Sequence, residues 1–128
     1  MPADSFERAR IMGWVQTVAC EMHPLLNIAV LKFLSDPLPV SAEDVNTTWY
    51  FQWLKRGFDP LEQTLVAAPY CFGNQLTIAD AYLIPQMYNA RRFNFDFSPY
   101  PKLQSIWEAC MNVQAFQRAQ PESQADAP

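Results

Sequence analysis

Apolar residues recur along this chain at intervals of three and four, the period of a helix. Ile11, Trp14, Val15, Val18, Ala19 and Met22 make one stripe on a long first helix. Pro24 should kink or break it, since proline brings no N–H to the ladder. The pattern resumes from Leu25 to Leu34, and "SDPLPVS" then reads as a loop. "SAED" opens the next helix, with Ser41 as N-cap and Asp44 at N3, an acidic variant of the capping box. Val45, Trp49, Trp53, Leu54, Phe58, Leu61 and Leu65 carry its apolar face to about residue 67. That face keeps its phase across Pro60, so a kink is expected there rather than two helices. After the loop "AAPYCFGNQ" comes "LTIADAYLIPQMYNARRF", the least charged helix and therefore placed at the centre. "FSPYP" is a Pro-rich connection. Leu103, Ile106, Trp107, Cys110 and Met111 form a shorter helix, and Val113 to Ala119 a last one. No segment reads as a strand, and three glycines in 128 residues argue against many hairpins. The expected architecture is an all-α bundle of five to six helices over residues 1–120, followed by a loose polar tail, 121–128.

Composition narrows the possible partners. Half the residues are apolar, which excludes a disordered chain. Nine Lys and Arg against thirteen Asp and Glu leave a net charge of −4. That is no electrostatic footprint for nucleic acid or an anionic membrane surface. No apolar run approaches the roughly 20 residues of a membrane span, and "MPADSFERAR" lacks the apolar core of a secretory signal. Cys20, Cys71 and Cys110 are odd in number and far apart, which suits reduced thiols in the cytoplasm. One histidine, His23, is too little for a zinc site, so no metal is expected.

The central helix opens on a carboxylate and closes on two cations. Thr77 is a good N-cap and Asp80 stands at N3. Hydroxyl and carboxylate can each satisfy an orphan N–H of the helix start, and the negative charge meets the positive end of the dipole. Asp80 is therefore read as a structural cap and not as a catalytic acid or base. Arg91 and Arg92 complement the other end of the dipole. Lying about 100° apart, they cannot both face one cleft.

A "T-I-A-D" cap leading a buried helix of an all-helical domain resembles the C-terminal domain of glutathione S-transferases. "ACEMHPLLNIAVLKFL", "YCFGNQLTIADAYLIPQMYNARRFNFDFSPYP" and "AFQRAQPESQADAP" narrow the resemblance to the zeta class of maleylacetoacetate and maleylpyruvate isomerases. It runs from about Glu7 to the end. Members of that class carry a thioredoxin-like domain ahead of this one, whose Ser- and Cys-containing motif activates the glutathione sulfur. Nothing in this sequence matches that motif. The resemblance thus implies half of a two-domain enzyme, or a protein that works without the catalytic half.

The resemblance also assigns candidate residues, each of which has a plainer reading. Arg92 stands where the family arginine binds a substrate carboxylate, a task for a planar, permanently charged fork. The plainer reading is a solvated helix-end cation, which is where Arg91 is left. His23 and Asn27 stand on the glutathione side, with Leu26 where the family has an amide; His23 also fits as the residue that orders the Pro24 kink. Trp14 is a candidate wall of the substrate pocket or an ordinary core aromatic. No residue of this chain is assigned to catalysis. The implied activity is glutathione-dependent cis–trans isomerisation, with glutathione bound only alongside a thioredoxin-like domain. The alternative is a non-catalytic helical interaction or dimerisation module. In either case the apolar first helix around Trp14 is expected to meet a partner, most simply a second copy in a homodimer.

Overall fold

The computed structural model describes residues 1–36 and 39–127. Pro37 and Leu38, inside the loop expected from "SDPLPVS", and Pro128 of the tail lie outside the described residues. The first apolar stripe forms α1, Ser5–Gln16, started by Asp4, whose carboxylate accepts from the Glu7 N–H. α1 runs on into a π-helical stretch, Thr17–Met22, and then into α2, His23–Leu26. Pro24 therefore does not break this rod. The π-helical stretch shifts the ladder, so the His23 N–H reaches the Val18 carbonyl, and proline enters in the first turn of α2, where its missing N–H is tolerated. The break falls instead at Asn27, where the backbone is extended. The Asn27 side chain accepts from the Val30 N–H at 3.1 Å and starts α3, Ile28–Ser35.

α4, Ala42–Asp44, a second π-helical stretch, Val45–Tyr50, and α5, Phe51–Thr64, join into the third rod. The Ser41 hydroxyl accepts from the Asp44 N–H at 3.0 Å. The Asp44 carboxylate takes the Ser41 hydroxyl at 2.7 Å and not the backbone N–H of a full capping box. α5 passes through Pro60 as one helix. Gly57 sits where α5 crosses the first rod: a Cβ there would overlap the fully buried Met22 side chain, so only glycine permits the approach.

α6, Ile78–Arg92, α7, Pro101–Met111, and α8, Gln114–Ala119, complete the architecture. Among the described residues there is no strand, only an isolated bridge between Tyr70 and Gly73. The fold is an all-α bundle of five rods and the short α8. α6 occupies its centre, between the first rod and α7, and buries Ala79, Asp80, Leu83, Ile84, Gln86, Met87 and Ala90.

Two connections are more structured than their composition suggests. Phe95, Phe97 and Tyr100 of the segment before α7 are buried against Phe58, with ring centroids 5.8, 5.5 and 6.0 Å away. The Glu62 carboxylate of α5 accepts from the Lys102 and Leu103 N–H groups at 2.8 and 3.0 Å, capping α7. In return the Lys102 ammonium donates to the Leu65 carbonyl at 3.0 Å, just past the end of α5. Ser5–Ser35, taken as one segment, also contains a window long and apolar enough, by length and composition only, to cross a membrane. Its Ile11, Val15, Val18 and Met22 are committed to the core.

Candidate functional site

The two ends of α6 carry the chemistry that the sequence singled out. At the head, Thr77 is the N-cap and both halves of its box with Asp80 are made. The Thr77 hydroxyl accepts from the Ala79 N–H at 3.2 Å, and one Asp80 oxygen accepts from the Thr77 N–H at 2.8 Å. Asp80 is wholly buried, 0% exposed. Its other oxygen accepts from the Cys71 N–H at 2.8 Å. That bond was not foreseen. It extends the cap into a clasp that draws the loop before α6 onto the helix start. Burial, and then the Asp80 charge, push the Cys71 thiol far above its ordinary range. The same two causes push the Cys110 thiol up to about 12. Both thiols are therefore inert fillers.

At the tail, Arg91 and Arg92 diverge. The Arg91 guanidinium lies 4.9 Å from the Phe97 ring centroid and 4.6 Å from that of Trp107. This packing between rings lowers its pKa, with Glu108 opposing the shift. Arg91 is exposed, as read from sequence, and its guanidinium also makes cation–π contacts that link α6 to Phe97 and to Trp107 of α7. Arg92 stays exposed. Among the described residues the one ion pair is Lys55–Asp59 at 3.8 Å, and Arg92 has neither an ion pair nor a hydrogen bond. It lines a cavity of about 240 Å³ whose other walls include Ile84, Tyr88, Trp107, Met111 and Phe116, with Gln120 and Pro121 at the rim. Burial pushes the nearby Tyr50 hydroxyl up to about 12, and the Arg92 charge pulls against that shift.

The start of the tail, expected to be loose, is ordered beside this cavity through Pro121 and Glu122. Residues Pro121–Ser123 form a 3₁₀ turn, and the Tyr88 hydroxyl donates to the Glu122 carboxylate. The Ser123 hydroxyl donates to the Gln117 carbonyl at 2.9 Å. Polar residues hold the tail through backbone bonds, which a hydropathy pattern does not register.

His23 lies beside the neighbouring face of α6. It is exposed and lines a separate cavity of about 320 Å³ with Val18, Ala19, Ala81, Tyr82, Pro85, Gln86 and Asn89. Gln86 is 3% exposed, and its side-chain carbonyl has no hydrogen-bond partner. Buried acceptors are rarely left so. Asn27 joins neither cavity, since its amide donates to the Pro24 carbonyl at 2.6 Å while its oxygen caps α3. Trp14 also lines neither; it is half-buried and meets Phe72 edge-on at 5.8 Å. The structure thus sets His23 and Arg92 in adjoining cavities along α6 that share Pro85 and Asn89, and leaves Trp14 and Asn27 outside both. Among the described residues no cluster of His, Cys, Asp or Glu could hold a metal. Tyr88, Trp107, Gln86 and Glu122 are the site residues that sequence reasoning missed. Tyr88 could have been found, one turn before Arg92 on the same helix face.

A capped, buried helix at the centre of an all-α bundle defines a class. Residues 50–109 match the family model described as glutathione S-transferase, C-terminal domain. A Vibrio cholerae protein named "Probable maleylacetoacetate isomerase" is 40% identical over 129 residues, covering 99% of this chain and 60% of that protein. The holo structure of a maleylpyruvate isomerase, a bacterial zeta-class glutathione S-transferase, superposes with a TM-score of 0.93 at 36% identity, over 100% of this chain and 62% of that one. A maleylacetoacetate isomerase of Anaeromyxobacter dehalogenans, solved with GSH bound in its active site, gives 0.91 at 37% identity, over 100% of this chain and 58% of that one. The fold is that of a glutathione S-transferase C-terminal domain, and the proteins it is similar to over its length carry the names maleylacetoacetate and maleylpyruvate isomerase. It spans about 60% of the length of the curated relatives it matches.

Proposed function

We propose that this domain is the substrate-side wall of a glutathione-dependent cis–trans isomerase of the maleylacetoacetate type. The observation that carries this reading is Arg92: an exposed guanidinium without a partner among the described residues, on a cavity walled by Trp107, Phe116 and Met111. Such a cavity suits an unsaturated acid. The fork takes the carboxylate in paired, charge-assisted bonds, and the apolar walls take the carbon skeleton and exclude water.

Glutathione, when bound, supplies the thiolate whose addition to a conjugated double bond allows rotation before elimination. The residues on its side fit in part. His23 is accessible and the Gln86 carbonyl is an acceptor awaiting a peptide N–H, whereas Asn27 is occupied in capping. Activation of the sulfur is assigned to a thioredoxin-like domain, since no described thiol here is both exposed and placed for it: Cys71 and Cys110 are buried, and Cys20 donates to Gln16. We place the protein in the cytoplasm as a homodimer.

Isothermal titration of the 128-residue chain with glutathione, and NMR titration with maleate, test the reading. Maleate should shift the Arg92 side-chain signal in the millimolar range and lose that effect in Arg92→Ala. Absence of any maleate response would remove the substrate role of Arg92, and absence of heat with glutathione would remove binding by this chain alone.

A second reading, an interaction module without catalysis, draws on Phe6, Phe33 and Ile28, which are 81%, 71% and 62% exposed on the first two rods. These side chains are more exposed than Trp14, which is half-buried. Sedimentation showing only monomer at tens of micromolar would count against it.

A further inference from the structure

We propose that Tyr88 is a positioning residue that parks the Glu122 carboxylate clear of Arg92 and so keeps the guanidinium available. Its consequence for ligands rests on the reading of Arg92 as a carboxylate site.

Tyr88 and Arg92 are one turn apart on α6 and line the same cavity. The chain leaves α8 extended at Gln120 and turns at Pro121–Ser123, which presents Glu122 to this face. The turn is held by several bonds of its own. The Ser123 N–H donates to the Gln120 carbonyl at 3.0 Å, and the Gln124 side chain donates to the Arg118 and Gln120 carbonyls at 2.8 and 2.9 Å. A rigid turn therefore sets a negative group beside an unpartnered cation, yet the two form no ion pair. What holds the carboxylate is the Tyr88 hydroxyl. The Tyr88 hydroxyl, then the Glu122 backbone N–H, lower the Glu122 pKa; the Arg92 charge adds a smaller lowering there and opposes the rise at Tyr88. The other carboxylate near this end of α6, Glu108, acts on Arg91.

Without the hydroxyl, only the Glu122 backbone N–H still holds the carboxylate, and Glu122 is freer to move onto Arg92, where it would act as an internal competitor of any carboxylate ligand. Tyr88→Phe should thus weaken malonate binding by the 128-residue chain about two- to fivefold, the strength of an exposed ion pair. Glu122→Gln should strengthen it about threefold by removing a neighbouring charge. The double variant Y88F/E122Q should bind like E122Q, because nothing then remains to be parked.

NMR titration with malonate reads these affinities. The Arg92 Nε–H signal without ligand reads the parking itself: it should move in Y88F and return in Y88F/E122Q. If it stays in place in Y88F, the proposal fails, whatever malonate does. If it moves and returns but no variant binds malonate, the parking stands and the carboxylate role of Arg92 falls. A loss of malonate affinity in Y88F that E122Q does not rescue would overturn the proposal and assign Tyr88 a structural part in the cavity.

Discussion

The two ends of α6 solve opposite problems with the same kind of group. At the head a carboxylate is taken wholly out of water and every visible bond it makes is structural. At the tail a guanidinium is left in water with no partner among the described residues. A buried charge persists only when donors replace its hydration, and Asp80 has the Thr77 and Cys71 N–H groups to do so. An exposed charge has no such requirement and remains open to a ligand. Charge in a helical bundle is thus a poor guide to function until its solvent exposure is known, and the uncommitted group is the one to follow.

The largest effect that tests this contrast is expected from Asp80→Ala. It strands the buried Cys71 N–H and the half-buried Thr77 N–H, and each unsatisfied donor in the interior costs about 1–3 kcal/mol. A loss of about 4 kcal/mol in urea unfolding is expected, with the loop at Cys71 exposed to hydrogen exchange. A loss under about 1 kcal/mol would mean that the clasp is incidental. The head should also respond to alkali. Burial, then Asp80, raise the Cys110 thiol from 9.0 to about 12. A thiol whose folded pKa exceeds its unfolded one stabilises fully below the lower value and loses that contribution as pH rises to the higher. The urea midpoint should therefore fall between pH 9 and 12, and Cys110→Ala should make that fall shallower while the Cys71 contribution remains. Thr77→Ala removes only the hydroxyl half of the cap and should cost about 1 kcal/mol.

These expectations differ in how far the sequence revealed their basis. Thr77 and Asp80 were legible because a cap is a local device, set by residues three apart in an N-terminal pattern. The Cys71 bond was not, since no local rule links a helix N3 carboxylate to a loop N–H nine residues away. The rods were legible through their apolar period, and the place of the first break was not. Pro24 announces a missing donor, but a π-helical stretch absorbs it, and that stretch has no signal in hydropathy. Phe93, Phe95 and Phe97 alternate with polar residues, the period of an extended chain that buries one side. Their neighbouring prolines drew attention to a connection and away from that alternation. The cavity around Arg92 was invisible for a different reason: Tyr88, Trp107, Phe116 and Glu122 come from four elements, and only the packing of α6 against α7 and α8 assembles them.

The smallest stability effects are expected at the tail, and there the two arginines separate. Arg91→Ala removes a cation held between Phe97 and Trp107, worth about 1 kcal/mol at a partly covered site. Arg92→Ala should leave stability within about 0.5 kcal/mol, as for a surface residue without contacts. On ligand binding the order reverses. Arg92→Ala should abolish the maleate response, while Arg91→Ala should leave it unchanged. Arg92→Lys keeps the charge and loses the planar fork, so it should retain only part of the response if the carboxylate is gripped by paired bonds. Equal binding by the lysine variant would show that the site reads charge alone. Guanidinium geometry would then have no part in selecting the ligand, and the tail of α6 would be a plain cationic helix end.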